Sequence, residues 1–288
     1  MFDHSNATKP GYNVRHTQGH KRRPGLFLIT MITVALLLSA GDIHAHARTL
    51  IIEGLEETPL KWAGHEEARG IDIDIMTEVL SRMNITDYMF RFVDSGSRLL
   101  HNAQNGSSDI ILTLSMSQER STYLHYPNEA HLLLDWRFAV RAEDKTRIRF
   151  NDFSDLSRVQ IGAAADYSYT STFWNSGLDI QTVARSDLLI PMLLQKRFDA
   201  VPVNYLSTVF DSIQNGYRKD IVFLHPPLKR APYYNVFAKA SDYPGKQQFL
   251  RDYDRIIRDM RDDGQLLSIL ENYLGPDGLD WWQSQNFQ

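Results

Sequence analysis

The sequence predicts an α/β protein of two lobes joined by two extended segments. Three observations lead there. Strand-like apolar runs alternate with segments of helical spacing, the series stops and starts again in the second half, and an extended stretch lies at each passage between the two series. Composition agrees, since 43% of the 288 residues are hydrophobic and 23% charged, the balance of a globular chain.

The first 47 residues read as an export leader outside the fold. Lys21-Arg22-Arg23 precedes an apolar run from Leu26 to Ala40, and Ala45-His46-Ala47 supplies a small-x-small cleavage pattern. The run is shorter than the ~20 residues that span a bilayer core. An uncleaved anchor is the other reading of the same segment. Cleavage after Ala47 leaves Arg48–Gln288. Removing the leader's five basic and two acidic residues from totals of 31 and 35 leaves 26 and 33, a net charge of −7. A mildly acidic exported chain is a poor nucleic-acid binder. With no cysteine, disulfides, thiolate metal sites and a lipid-modified cysteine are excluded.

The elements follow in order. Thr49 to Ile52 is a buried first strand, and Gly70-Ile71-Asp72-Ile73-Asp74-Ile75 leads into a helix over Ile75 to Met83. Phe90 to Val93 alternates as a strand, Ser97 to Asn105 is a helix closed by Gly106, and Asp109 to Leu114 is a third strand. A further helix is expected from Ser117. Leu132–Val140 is extended, and Val159 to Gly162 opens the second series. That series continues with a helix over 188–195, a strand over 199–203 and a helix over 206–214. Pro202 argues against full hydrogen bonding of its strand. A last extended segment lies near 234–238, before helices over 245–262 and 265–273. The divisions expected are residues 48–138 with 236–288 for lobe 1 and 139–235 for lobe 2. The cleft between two such lobes is a common place for a small ligand.

The stretch Leu112-Thr113-Leu114-Ser115-Met116-Ser117-Gln118-Glu119-Arg120 carries the strongest chemical hint. If Ser117 caps a helix, Arg120 sits in its first turn, where a cation is disfavoured. A carboxylate or phosphate there would resolve the conflict, held by the guanidinium and by hydroxyl and N–H donors. Thr113 and Ser115 alternate onto one strand face and could both reach it. The same residues also fit a capped helix with a solvent-facing arginine. Ser168, with Tyr167 and neighbouring aromatics, follows a strand and could contribute from the other lobe. A helix cap with core aromatics fits equally. Asn204 lies just beyond a strand, where open α/β sheets face their ligand crevice, or is an ordinary turn residue. No HExxH helix, GxSxG elbow or GxxxxGK[ST] loop occurs, and no cofactor is called for.

Taken together these segments resemble the periplasmic solute-binding proteins of polar amino acid ABC transporters, bacterial extracellular solute-binding protein family 3, over about Thr49 to Leu274. Gly70 to Ile75 is similar to the family's Gly-Phe-Asp-Ile-Asp-Leu, and Asn105 to Ile111 to its x-Gly-Lys-x-Asp-Ile-Ile. Ser115 to Arg120 is similar to Thr-Ile-Thr-x-Glu-Arg, and Arg258–Tyr273 to the usual tail. The resemblance implies the two-lobed type II periplasmic binding protein fold, a small-molecule solute, an inner-membrane permease as partner and a monomer. It assigns Arg120 to the ligand's α-carboxylate, Ser115 and Thr113 to adjacent bonds, and Ser168 to a second-lobe hydroxyl on the same group. Asn204 stands where amino acid binders place an aspartate for the α-ammonium, and an amide supplies no full negative charge there. Trp62 lies near Thr58-Pro59-Leu60, where the family has Tyr-Pro-Pro-Phe. Two other roles fit the same scaffold: a dehydratase resembling cyclohexadienyl dehydratases, and a solute sensor for a membrane receptor.

Overall fold

The computed structural model describes residues 48–165 and 169–284. The expected leader, and Tyr167 and Ser168, lie outside them. The first described series is β1 (Leu50–Leu55), the short pair β2 (Trp62–Ala63) and β3 (Ala68–Arg69), α1 (Ile71–Arg82), β4 (Tyr88–Val93), α2 (Gly96–Asn105) and β5 (Ile110–Ser115). After β6 (Leu124–His125) and β7 (Leu132–Arg141), the second comprises β8 (Ile161–Ala164), the one-turn α3 (Ser171–Trp174), β9 (Ile180–Val183), α4 (Leu189–Leu194), β10 (Ala200–Asn204) and α5 (Tyr205–Gln214). β11 (Ile221–Phe223) and β12 (Lys229–Ala238) precede three closing helices, α6 (Lys246–Asp262), α7 (Gln265–Leu274) and α8 (Pro276–Gln283).

One sheet runs through both series in the order β4-β1-β5-β12-β7-β10-β8-β9. Two parallel triplets, β4-β1-β5 and β10-β8-β9, flank the antiparallel pair β12-β7. Both central strands pair on each side, and β11 and β6 add short ladders to β7 and β12. β7 pairs with β12 from Leu132 to Trp136 and with β10 from Trp136 to Val140, while β12 reaches β5 from Tyr233 to Phe237. The two lobes are therefore tied by continuous strands, the α/β arrangement the alternation predicts.

Local chemistry explains where elements start and stop. α1 begins at Ile71, four residues before the expected Ile75. Ile71, Ile75 and Val79 stack at four-residue spacing into the core, and Asp72 and Asp74 occupy the first turn, where the helix end is positive. Gly70, with φ of 134°, permits that start, because a Cβ there would meet the Leu60 carbonyl oxygen at 2.3 Å. α2 is closed by left-handed Gly106 as its sequence predicts, and starts one residue before the expected Ser97, capped by Ser95.

The helix expected from Ser117 is instead a single 3₁₀ turn, Arg120–Thr122. Ser117 Oγ does accept the Arg120 N–H at 3.2 Å. However, Ser121 and Thr122 donate their hydroxyls back to the Ser117 and Glu119 carbonyls at 2.8 and 2.6 Å. Hydroxyls competing for backbone groups in this way limit helix growth. Pro202 shows the converse. Its strand β10 is central, yet pairs with β8 only at Ala200–Ile161. Tyr169 fills the divergence, its hydroxyl accepting from Ala164 N–H at 3.2 Å and donating to the Pro202 carbonyl at 3.1 Å.

A buried polar cluster marks where β5 meets β12. The register slips between Tyr234 and Val236, and opposite the slip Thr113 adopts φ of 54°, unusual for a β-branched residue. The Thr113 N–H donates to Asn235 Oδ1 at 2.9 Å, and its hydroxyl donates to Asp72. Asn235 Nδ2 donates to the other Asp72 oxygen at 2.7 Å. His131 Nε2 lies 3.1 Å from the same oxygen, close enough for charge interaction but not aligned as a hydrogen bond. Asp72 and His131 are wholly buried. Burial pushes the Asp72 carboxyl up, but His131, Lys61 and the Thr113 hydroxyl outweigh it and hold the group below its ordinary 3.8.

Asp72→Ala should therefore destabilise the protein by about 3 kcal/mol, because it leaves buried donors without their acceptor; urea unfolding checks the value. The linkage has a definite sign. A carboxyl depressed in the folded state stabilises above its unfolded value and loses that contribution as pH falls through the lower folded value. Stability of the wild type should thus fall below about pH 3.8 more steeply than that of Asp72→Asn, as acid titration followed by circular dichroism would show.

Candidate functional site

The ends of two strands, one from each parallel triplet, supply the candidate site. Ser115 ends β5 and Asn204 ends β10. Ser115 is directly opposite Tyr233 of β12, itself opposite Leu132 of β7; Asn204 is opposite Trp136, itself opposite Lys229. Directly opposed residues share a sheet face, and Leu132 and Trp136 are an even number apart, so all six lie on one face. The Trp136 and Tyr233 rings sit 6.3 Å apart, and Lys229 Nζ lies 4.7 Å from the Trp136 ring centre. The reverse face is closed. There Asp135 accepts from Arg230 Nε at 2.6 Å and from Arg137 Nε at 3.1 Å, and both arginines reach Ser284, just beyond α8.

Arg120 belongs to the open corner. Its Nη1 donates to the Ser115 carbonyl at 3.1 Å and to Ser115 Oγ at 3.3 Å. The Tyr126 hydroxyl donates to the same carbonyl at 2.9 Å, and burial raises that hydroxyl above its ordinary value, keeping it a protonated donor at neutral pH. Arg120 is half-buried. Every other arginine among the described residues is either ion-paired with a carboxylate or exposed. A guanidinium held by neutral oxygens keeps its charge for a further anion, and its planar fork suits a carboxylate.

The other expected residues fall differently. Asn204 is buried at 2% exposure and caps α5, its Oδ1 accepting the Ser207 N–H at 3.1 Å. Thr113 does not alternate with Ser115, because the positive φ turns it into the Asp72 cluster and engages its hydroxyl there. Trp62 packs its ring on Phe210 of α5 and Tyr273 of α7, with centroids 6.2 and 6.1 Å away. Arg120 also does not stand in the first turn of an α-helix, so the conflict with a helix dipole dissolves, and its environment rests on Ser115 instead. Tyr126 and Tyr233 have no distinguishing local pattern; strand pairing brings Tyr233 to this corner, and Tyr126, just past β6, reaches it through the Ser115 carbonyl. Among the described residues, no group of three or more His, Asp or Glu could hold a metal ion. A cavity of about 630 Å³ between α4 and α5, lined by Ile190, Pro191, Leu194 and Thr208, is not bordered by Arg120, Ser115 or Asn204. Concavity alone therefore does not locate this site.

Two lobes bridged by a strand pair, with an unpaired guanidinium where one strand ends, define a solute-binding protein of the type II periplasmic fold. The chain belongs to the bacterial extracellular solute-binding proteins, family 3, whose model matches residues 51–276. No curated protein sequence matches it. Among solved structures it resembles the second substrate-binding domain of Lactococcus lactis GlnP in its open conformation, at 15% identity and a TM-score of 0.64, covering 78% of this chain and 94% of that one. It also resembles the unliganded L-cystine solute receptor of Neisseria gonorrhoeae, at 14% identity and a TM-score of 0.63, covering 79% and 92%. A histidine kinase sensor domain with similarity to periplasmic binding proteins matches at 16% identity and a TM-score of 0.58, covering 79% and 96%. At these identities the likeness establishes the fold.

The cap gives a direct check on Asn204. Asn204→Ala should cost about 1 kcal/mol in urea unfolding, whereas Asn204→Asp should be nearly neutral, because Asp and Asn cap equally well.

Proposed function

We propose that this protein is an exported binding component that closes its lobes over a small, carboxylate-bearing solute and delivers it to an inner-membrane ABC permease. The carrying observation is Arg120, the half-buried arginine that no described carboxylate neutralises. Family membership supports solute binding, and the sheet topology supports closure about β7 and β12. In this reading residues 48–138 with 236–288 form lobe 1 and residues 139–235 form lobe 2. Ser115 and Asn204 face each other across the hinge, Ser168 and Tyr167 border the cleft from lobe 2, and Trp62 borders it from lobe 1. Closure is driven by contacts that exist only when both lobes touch the solute. The protein works as a monomer in the periplasm after cleavage behind Ala47. No helix among the described residues is long and apolar enough to cross a membrane.

A thermal-shift screen of amino acids and organic acids tests the proposal. At least one carboxylate should raise the melting temperature, and Arg120→Ala should weaken its binding at least a hundredfold, the loss of a charge-assisted bidentate contact. Equal binding by the variant would contradict it. Product formation from prephenate or arogenate would replace transport by the dehydratase reading.

A further inference from the structure

All of α8 after Pro276 lies beyond residues 51–276, which the family's model matches. The helix is nevertheless built into the fold. Its Trp281 is buried, and Gly278 lets it press onto α7, since a Cβ there would meet the Leu274 Cβ at 3.1 Å and the Leu270 carbonyl oxygen at 3.2 Å. α7 in turn is fixed to the start of α1. The Tyr273 hydroxyl accepts the Gly70 N–H at 3.2 Å and donates to Asp74 Oδ2 at 2.8 Å. α8 is thereby anchored to helices of the first series.

From that anchor it reaches the second series. Asp277 accepts from Arg218 Nε at 2.9 Å and from Arg218 Nη2, a bidentate pair whose side chains are 23% and 32% exposed. The Arg218 guanidinium lies 5.6 Å from the Phe223 ring centre, Phe223 packs on Tyr205 at 4.7 Å, and Arg137 lies 4.4 Å over the Tyr205 ring. Phe223 is opposite Ala139, which shares a sheet face with Arg137, so these contacts continue along the reverse face. At the far end of α8, Ser284 receives Arg137 and Arg230.

We infer that Arg218 and Asp277 form a clasp across the back of the hinge, which sets how readily the lobes close and therefore the affinity for the solute. Neither residue touches the solute. The inference rests on the proposed closure about β7 and β12. A rotation that brings the ends of β5 and β10 together on one face parts groups held across the other. Closure then stretches or breaks the bidentate pair. A contact made only in the open form stabilises that form, so its loss moves the population toward closure and tightens binding by the same factor.

The experiment is a double electron–electron resonance distance measurement on the mature chain without solute. The sequence has no cysteine, so spin labels on Asp94→Cys and Ala184→Cys mark those two positions alone. Both are exposed and follow β4 and β9, the outermost strands of the two triplets, and their separation reports the cleft. Asp277→Asn and Arg218→Gln, introduced singly, should each raise the short-distance population about threefold, the scale of a partly exposed ion pair. The exchanged pair, Arg218→Asp with Asp277→Arg, should return it toward the wild-type value, a rescue that general loosening would not give. Either single variant suffices if the other fails to fold. Unchanged or lengthened distances in a variant with wild-type circular dichroism would overturn the inference, as would an exchanged pair that stays shifted. Those results would leave the carboxylate reading standing, because that reading falls only on the Arg120→Ala comparison in the thermal-shift screen.

Discussion

The structure depends on the antiparallel pairing of β7 with β12. Each strand forms ladders on both sides, so the pair joins the two parallel triplets into one sheet. The reverse side of the pair is fixed by Asp135, shared between Arg137 and Arg230, with Ser284 beyond α8 completing both guanidinium shells. The buried Asp135 carboxylate is tolerated because both guanidiniums hydrogen-bond to it. The opposite side carries Tyr233, Lys229 and Trp136, and there the strand ends of both lobes converge. In the proposed reading, this rigid back and aromatic front suit a hinge that bends while keeping its register.

The Asp72 cluster serves the same geometry one layer deeper. Beside the register slip the Thr113 N–H donates to the Asn235 side chain, and Asp72 in turn accepts from the Thr113 hydroxyl and the Asn235 amide. By turning Thr113 inward, the slip leaves Ser115 as the outward hydroxyl of this strand end, beside Arg120. In the proposed reading, a packing solution inside lobe 1 thus decides which groups face the solute. The arrangement connects a local backbone irregularity to ligand chemistry through residues that need never touch a ligand.

Much of the fold was legible in the sequence because it is written locally. Apolar runs, the Gly106 that closes α2 and the spacing of α1 each announce themselves within a dozen residues. The family's model matching residues 51–276 bears out the resemblance carried by Ser115 to Arg120 and its companions. What stayed hidden is non-local. α8 escaped notice because its buried Trp281 shows no periodic pattern in so short a segment. The shared Asp72 cluster joins residues from four separate elements and loops, and the positive φ of Thr113 has no sequence mark such as glycine. Asp72 itself reads as one of two acidic residues at a helix start, and only packing separates the buried Asp72 from Asp74, which reaches Tyr273 at 2.8 Å.

The central claim is that Arg120, which no carboxylate among the described residues neutralises, takes the charge of a solute carboxylate. A crystal structure of the protein with the solute that co-purifies from the periplasm tests it most directly. The account predicts a carboxylate oxygen about 3 Å from the Arg120 guanidinium, enclosed between the ends of β5 and β10. A solute bound elsewhere, or one in this cleft that turns no anionic group toward Arg120, would contradict it.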